Sequence, residues 1–246
     1  MNLSTSRILV TGGALRVGKC ISMTLAEAGA EVLIHYRTSS DAAEETAELI
    51  RTRGGKADTV HGDLAEESGP AHIMEQALAK GALHGLVNNA AVFNRTSLAE
   101  SDTRTFLKEF KPNLFGPLEL IRLFAAQQNL PGVVINLLDR RIAAHDATAV
   151  PYHLSKFALA EVTRLAALEY GPRLRVNGVA PGAILPPPGK EDQADYLEAH
   201  GGRAPLDHRC TPGDVASAVC FLFTAPAITG QILYVDAGQH LLGNGV

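Results

Sequence analysis

The chain has 246 residues, 46% of them hydrophobic and 20% charged, with 23 glycines and a formal net charge of −4. That apolar fraction excludes a disordered chain. The 22 basic and 26 acidic residues nearly balance, without a basic run, so neither nucleic acid nor an anionic membrane is the expected partner.

In chain order, Arg7-Ile-Leu-Val-Thr11 reads as a buried strand ending at Gly12-Gly13. Apolar residues at helical spacing then run from Val17 to Ala28, and Gly29 supplies the stop. Glu31–Tyr36 is a second strand, and Asp41–Arg53 an amphipathic helix closed by Gly54-Gly55. Further strands are predicted at Ala57–His61, His84–Asn88, Val133–Leu138, Arg175–Ala180 and Gln231–Val235. Helices are predicted at Ala71–Lys80, Asp102–Gln128, Pro151–Tyr170 and Pro212–Thr224. Such alternation predicts an α/β fold, because parallel strands need crossovers that cover both faces of the sheet. No repeat or linker divides the chain, so one domain over 1–246 is expected. Pro181 to Thr211 reads as irregular, with residues 184–209 expected to form a flexible substrate loop. The plain alternative is an inserted loop without a role.

Cys20, Cys210 and Cys220 make no CxxC pair, which fits a reducing, cytoplasmic setting. The stretch MNLSTSRILVTGG lacks the basic region and apolar core of a secretory leader, and no apolar run approaches a membrane span. The histidines show no metal-ligand spacing, so no metal is expected.

Thr11-Gly-Gly-Ala-Leu-Arg-Val-Gly18 joins a predicted strand to a predicted helix. Glycines there allow a tight turn and close approach to a pyrophosphate, which the helix N-terminus then attracts. The second strand ends His35-Tyr36-Arg37-Thr38-Ser39, with no carboxylate until Asp41. A carboxylate at that position would bind a ribose 2′-hydroxyl, whereas a cation beside hydroxyls suits a 2′-phosphate. The expected cofactor is NADPH/NADP+, unless Arg37 is merely a solvated surface residue.

Tyr152-His-Leu-Ser-Lys156 opens a predicted helix, and i,i+4 spacing puts phenol and ammonium on one face. A neighbouring cation is expected to lower the phenol pKa from about 10 and make it a usable acid.

These motifs together resemble the short-chain dehydrogenase/reductase family along nearly the whole chain. The resemblance implies a Rossmann-type, doubly wound parallel sheet of seven strands with helices on both faces. Asp63-Leu64 matches the family's adenine site, and Asn88-Asn89-Ala90-Ala91 its Asn-Asn-Ala-Gly. Asn113 falls where the family places an Asn supporting the catalytic lysine, and Pro181-Gly182 where it places the nicotinamide-side turn. Ile228 to Gly238 resembles the family's C-terminal strand. The implied cofactor set is thus Gly12, Arg16, Val17, Gly18, Tyr36, Arg37, Thr38, Ser39, Asp63, Leu64, Asn89, Ala90, Tyr152, Lys156, Pro181 and Gly182. Asn113, Asp139, Tyr152 and Lys156 form the implied catalytic set.

Arg16 replaces a glycine of the turn, Asp139 stands where the family's serine is expected, and Phe93 follows Asn-Asn-Ala-Ala. This combination is similar to the pteridine reductases. The similarity implies a pteridine between Phe93 and the nicotinamide, with Arg16, Asp139 and Tyr152 also contacting substrate. Charge supports it, since a carboxylate would repel the alkoxide that forms on a reduced ketone but can accept from a pterin's amino edge. Ala91, where that subgroup often has serine, and the neighbouring Arg140-Arg141 depart from the pattern. The arginines either neutralise Asp139 or face solvent, Asp139 could mark a lost serine, and Phe93 could be core packing. The leading expectation is reduction of a 7,8-dihydropterin or dihydrofolate. A carbonyl reductase or alcohol dehydrogenase, or a non-catalytic NADP-binding sensor, stays open. The resemblance also implies a homotetramer.

Overall fold

Each central strand alternates apolar side chains between two layers, which forces helices onto both sides of the sheet. A computed structural model of the chain describes residues 1–127, 131–186, 189 and 195–242. Among them, seven strands form one parallel sheet in the order β3-β2-β1-β4-β5-β6-β7. They are β1 (Arg7–Val10), β2 (Glu31–Tyr36), β3 (Lys56–His61), β4 (Gly85–Asn88), β5 (Gly132–Leu137), β6 (Leu174–Pro181) and β7 (Ile232–Val235). The chain winds outward from β1 to β3 and then returns to place β4 beside β1. That reversal opens a crevice beyond the carboxyl ends of β1 and β4, where open α/β sheets bind ligands.

Ile8, Val10, Val32 and Ile34 pack against α1 (Arg16–Glu27), α2 (Ser40–Thr52) and α8 (Pro212–Thr224). Leu9, Leu33, Leu86 and Val134 face the other way, onto α3 (Gly69–Ala79), α5 (Gly116–Gln127) and α6 (Val150–Tyr170). Phe223 anchors the first layer and Phe124 the second, both fully buried. Burial of each contributes on the order of 2–3 kcal/mol of transfer free energy.

Two segments differ from the sequence reading. The central helix expected at Asp102–Gln128 is α4 (Thr103–Phe110), a π-helical turn at Lys111–Phe115 and then α5; Gln128 lies outside the described residues. Pro112 explains the break, since it has no N–H for the preceding turn and its ring crowds the carbonyl four residues back. The widened turn carries Asn113. Within the stretch read as irregular, Tyr196–His200 forms a short helix, α7. Pro187, Pro188 and residues 190–194 of the expected substrate loop lie outside the described residues.

His35 ties β2 to the glycine turn. Its buried ring accepts from the Gly12 amide at Nδ1 (3.2 Å) and donates from Nε2 to the Gly62 carbonyl (3.0 Å). Only the neutral ring can do both. Burial pulls its pKa from 6.5 down to about 4. Between these values the unfolded chain holds more protons than the folded one, so stability falls as pH drops from 6.5 to about 4. The loss is on the order of 3 kcal/mol. Urea unfolding at pH 7 and pH 4 is expected to show a stability loss that shrinks clearly in His35→Gln. Equal losses in both proteins would remove this role.

Candidate active site

The turn between β1 and α1 is built by close backbone approach. A Cβ on Gly18 would sit 2.0 Å from the Gly12 carbonyl oxygen, and Gly12 itself has a φ of +61°. Asn89 clasps the turn from β4, donating from its carboxamide to the carbonyls of Thr11 (2.8 Å) and Gly12 (3.1 Å). The Thr11 hydroxyl accepts the amides of Asn89 (2.9 Å) and Ala90 (3.0 Å). Arg16 keeps a φ of +54°, so the residue in the missing glycine's place still adopts a glycine conformation. For a side chain with a Cβ this costs on the order of 1–2 kcal/mol. Its guanidinium donates to the Pro186 carbonyl, bridging the turn to the segment after β6.

Helix α1 starts at Arg16, and its N-cap Leu15 contributes no side-chain acceptor. The first-turn amides therefore lack intrahelical partners and carry the positive end of the helix dipole. They border a cavity of about 350 Å³ lined by Gly12, Arg16, Val17, Gly18, Asp63, Leu64 and Ala90 among others. Arg37, half exposed and 3.8 Å from Asp63, also lines it. Donor amides, a glycine floor and two arginines fit the phosphates of a dinucleotide. Tyr36, Thr38 and Ser39 are not among the lining residues; Tyr36 lies 5.3 Å from the His61 ring and Ser39 precedes α2.

At the end of β5, Asp139 meets the start of α6. The Tyr152 hydroxyl donates to Asp139 Oδ2 (2.9 Å), and the Arg141 guanidinium donates to the same oxygen (2.9 Å). The Arg141 amide donates to Oδ1 (2.9 Å), making Asp139 the cap of a short 3₁₀ turn. Arg141 also pairs with Asp146 (2.8 Å) and lies over the Phe93 ring, 5.4 Å from its centroid. Phe93 stands edge-on to Tyr152 at 4.7 Å. It is 40% exposed and lines a second, larger cavity of about 1080 Å³ shared with Arg16, Arg37 and Ala91. Core packing is therefore not its role. Of the two arginines, Arg141 neutralises Asp139 while Arg140 is buried, with burial pulling its pKa down.

The expected lowering of the Tyr152 pKa is overturned. Burial, then the Asp139 carboxylate, pushes the phenol well above its ordinary value, with Arg141 opposing. The tyrosine is a neutral donor whose proton is held toward Asp139. Lys156 is buried, donates to the Leu137 carbonyl (2.7 Å) and is drawn by burial to about 8. Asn113 exchanges two hydrogen bonds with the Val92 backbone, both 2.9 Å, and donates to Glu109 (3.0 Å) and Ser155 (3.3 Å). Gly182 closes onto the C-terminal turn, where a Cβ would fall 2.5 Å from Gln239 Oε1. Pro181 ends β6 beside it.

Sequence reasoning missed His35 and Glu109, and left open whether the arginines neutralise Asp139, which Arg141 does. Glu109 is buried and accepts both the Asn94 backbone and side-chain amides (2.9 and 2.6 Å), fixing the loop that carries Phe93. Its place four residues before Asn113 on a helix was the available signal.

A glycine-turn crevice beside a buried Tyr–Lys pair defines a dinucleotide-dependent α/β oxidoreductase. The chain belongs to the short-chain dehydrogenase/reductase family; residues 13–240 match the model described as Enoyl-(Acyl carrier protein) reductase. It is 38% identical over 242 residues to an uncharacterised oxidoreductase of Mycobacterium tuberculosis, covering 94% of this chain and 90% of that protein. It is similar to FolM alternative dihydrofolate reductase 1 of Brucella canis complexed with NADP, with 33% identity and a TM-score of 0.87. That match covers 98% of this chain and 96% of the solved one. Angucycline C-6 ketoreductase LanV with bound NADP matches at 28% identity and a TM-score of 0.91, covering 98% and 97%.

Two substitutions check the site. Arg16→Gly is expected to raise unfolding stability by about 1 kcal/mol through relief of the positive φ. The same variant should bind NADPH more weakly, as titration of nicotinamide fluorescence would show. Arg141→Met is expected to cut turnover at least tenfold, on the order of a lost proton-transfer contribution. Unchanged turnover in that variant would mean Asp139 needs no counter-ion.

Proposed function

We propose that this oxidoreductase reduces a pteridine, taking a 7,8-dihydropterin or dihydrofolate to its tetrahydro form. The observation that carries the reading is the Asp139 carboxylate, paired with Arg141 and holding the Tyr152 hydroxyl. Ketone reduction calls for donors around a developing oxyanion, and a carboxylate is only an acceptor. Likeness to the Brucella alternative dihydrofolate reductases supports the same substrate class. The cofactor is NADP(H). Gly12, Gly18 and the α1 amides would hold its diphosphate, and Arg16 and Arg37 its 2′-phosphate. Bound there, NADPH supplies the hydride.

Tyr152 and Asp139 handle the ring-nitrogen proton: burial and Asp139 keep the phenol protonated in the resting site. As hydride reaches the adjacent carbon, the O–H turns from Asp139 to the strongly basic nitrogen, leaving a phenolate that regains a proton from solvent. Asp139 Oδ1, which receives one backbone amide, has capacity for a donor of the 2-amino edge. Lys156 lies on the same face of α6 as Tyr152 and supports the cofactor ribose. Phe93 offers its ring to the planar substrate, and Ala91 leaves room where a hydroxyl would add one hydrogen bond.

The ketoreductase likeness favours a second reading, reduction of a carbonyl by Tyr152 and Lys156. An NADP-binding sensor would instead bind cofactor without turnover and tolerate Tyr152→Phe. Exposed Phe115 and Leu118 beside the central turn, with Leu165 and Leu168 on α6, support assembly into a homotetramer. No helix among the described residues is long and apolar enough to cross a membrane, and the three cysteines are unpaired, in keeping with a cytoplasmic enzyme.

NADPH oxidation with 7,8-dihydrobiopterin, dihydromonapterin and dihydrofolate, beside a panel of ketones, separates the readings. Turnover is expected with at least one pteridine. Good turnover of a ketone and none of any pteridine would sink the proposal. Asp139→Ser is expected to lower pteridine turnover about 100-fold, a typical acid–base contribution, with little change in NADPH affinity.

A further inference from the structure

The larger cavity exceeds what a bicyclic ring needs. At about 1080 Å³ it lies at the upper end of volumes that hold an extended small molecule. Among the described residues its lining includes five cations, Arg16 and Arg37, assigned above to the cofactor phosphate, and Arg104, Lys108 and Lys111, and no carboxylate. This is notable in a chain whose net charge is −4. The last three recur at i, i+4 and i+7 along α4 into the π-helical turn, so they share one face and span about 10 Å.

Among the described residues, no carboxylate pairs with Arg104, Lys108 or Lys111. By contrast, three arginines on other helices are matched: Arg51 by Glu44 and Glu48, Arg122 by Glu119, Arg164 by Glu161. The acid of α4 itself, Glu109, is turned inward and spent on Asn94 and Asn113. Leu107 and Pro112 line the same cavity as the cations and Phe93.

We propose that this wall is a subsite for a carboxylate-bearing extension of the substrate. Resting on the pteridine reading, it assigns as preferred substrate a dihydrofolate carrying an oligoglutamyl chain. The aromatic linker would lie on Leu107 and Pro112, and the carboxylates would meet Arg104, Lys108 and Lys111. A row of separate charges favours an extended polyanion over one compact anion.

The experiment compares wild type with the triple variant Arg104→Gln, Lys108→Gln, Lys111→Gln under saturating NADPH. Substrates are dihydrofolate triglutamate, dihydrofolate and 7,8-dihydrobiopterin. In wild type, KM is expected to fall from dihydrobiopterin to the triglutamate. The variant should raise KM for the triglutamate about tenfold, the combined loss of three partly screened ion pairs, with KM for dihydrobiopterin and NADPH unchanged. Added salt should erase the wild-type preference. No gain from the tail, or a matching rise in the NADPH KM, would overturn the subsite. Calorimetry with p-aminobenzoyl-triglutamate, which has no pteridine, provides a readout free of turnover. Binding by wild type and loss in the variant would uphold the subsite even if no pteridine were reduced. Absence of binding to wild type would refute the subsite while leaving pteridine reduction standing. A thermal midpoint equal to wild type shows that the variant is folded.

Discussion

The chemistry of this site depends on one charge, the Asp139 carboxylate brought beside the buried Tyr152 hydroxyl. An anion taken out of water needs compensation, and Asp139 receives the guanidinium and the amide of Arg141 as well as the phenol. Arg141 in turn pairs with Asp146 and covers Phe93, so the exposed Phe93 ring, the Tyr152 hydroxyl and the carboxylate are linked through one side chain. The arrangement raises rather than lowers the phenol's pKa, which keeps the Tyr152 hydroxyl protonated.

Everything else serves to present that cluster to the crevice. Parallel winding reverses between β1 and β4, so the glycine turn, the Asn89 clasp and the Phe93 loop converge on one edge of the sheet. His35 fastens the turn from behind with a ring that must stay neutral, and Glu109 fastens the Phe93 loop through Asn94. Both are buried polar groups whose partners are backbone or amide donors and acceptors, so they set position rather than react. Arg16 is the reverse case. It holds a backbone conformation costly for arginine, and that strain is tolerated where a long cation reaches both cavities.

Much of the fold was legible because its causes are local. Buried strands of β-branched and leucine residues announced β1, β2 and β5, and glycine stops marked the ends of α1 and α2. The central helix was read as continuous because periodicity is blind to a widened turn, and Pro112 was the overlooked sign. Within the site, Gly12, Gly18, Tyr152 and Lys156 stood out through spacing. Glu109 and His35 did not, because each acts through partners distant in sequence: Asn94 lies 15 residues from Glu109, and Gly12 and Gly62 lie 23 and 27 from His35.

The sequence by itself determined the alternating α/β architecture, the glycine turn and the identities of Asp139 and Arg16, since these follow from residue type, order and short-range spacing. Only the tertiary structure decided how charges resolve. It paired Arg141 rather than Arg140 with Asp139, turned Glu109 inward, and left a row of cations lining a cavity that has no acid among its described residues. It also reversed the expected direction of the Tyr152 pKa. The physical reason is that pKa values and ion pairs depend on burial and on through-space distance, which spacing along a chain does not specify.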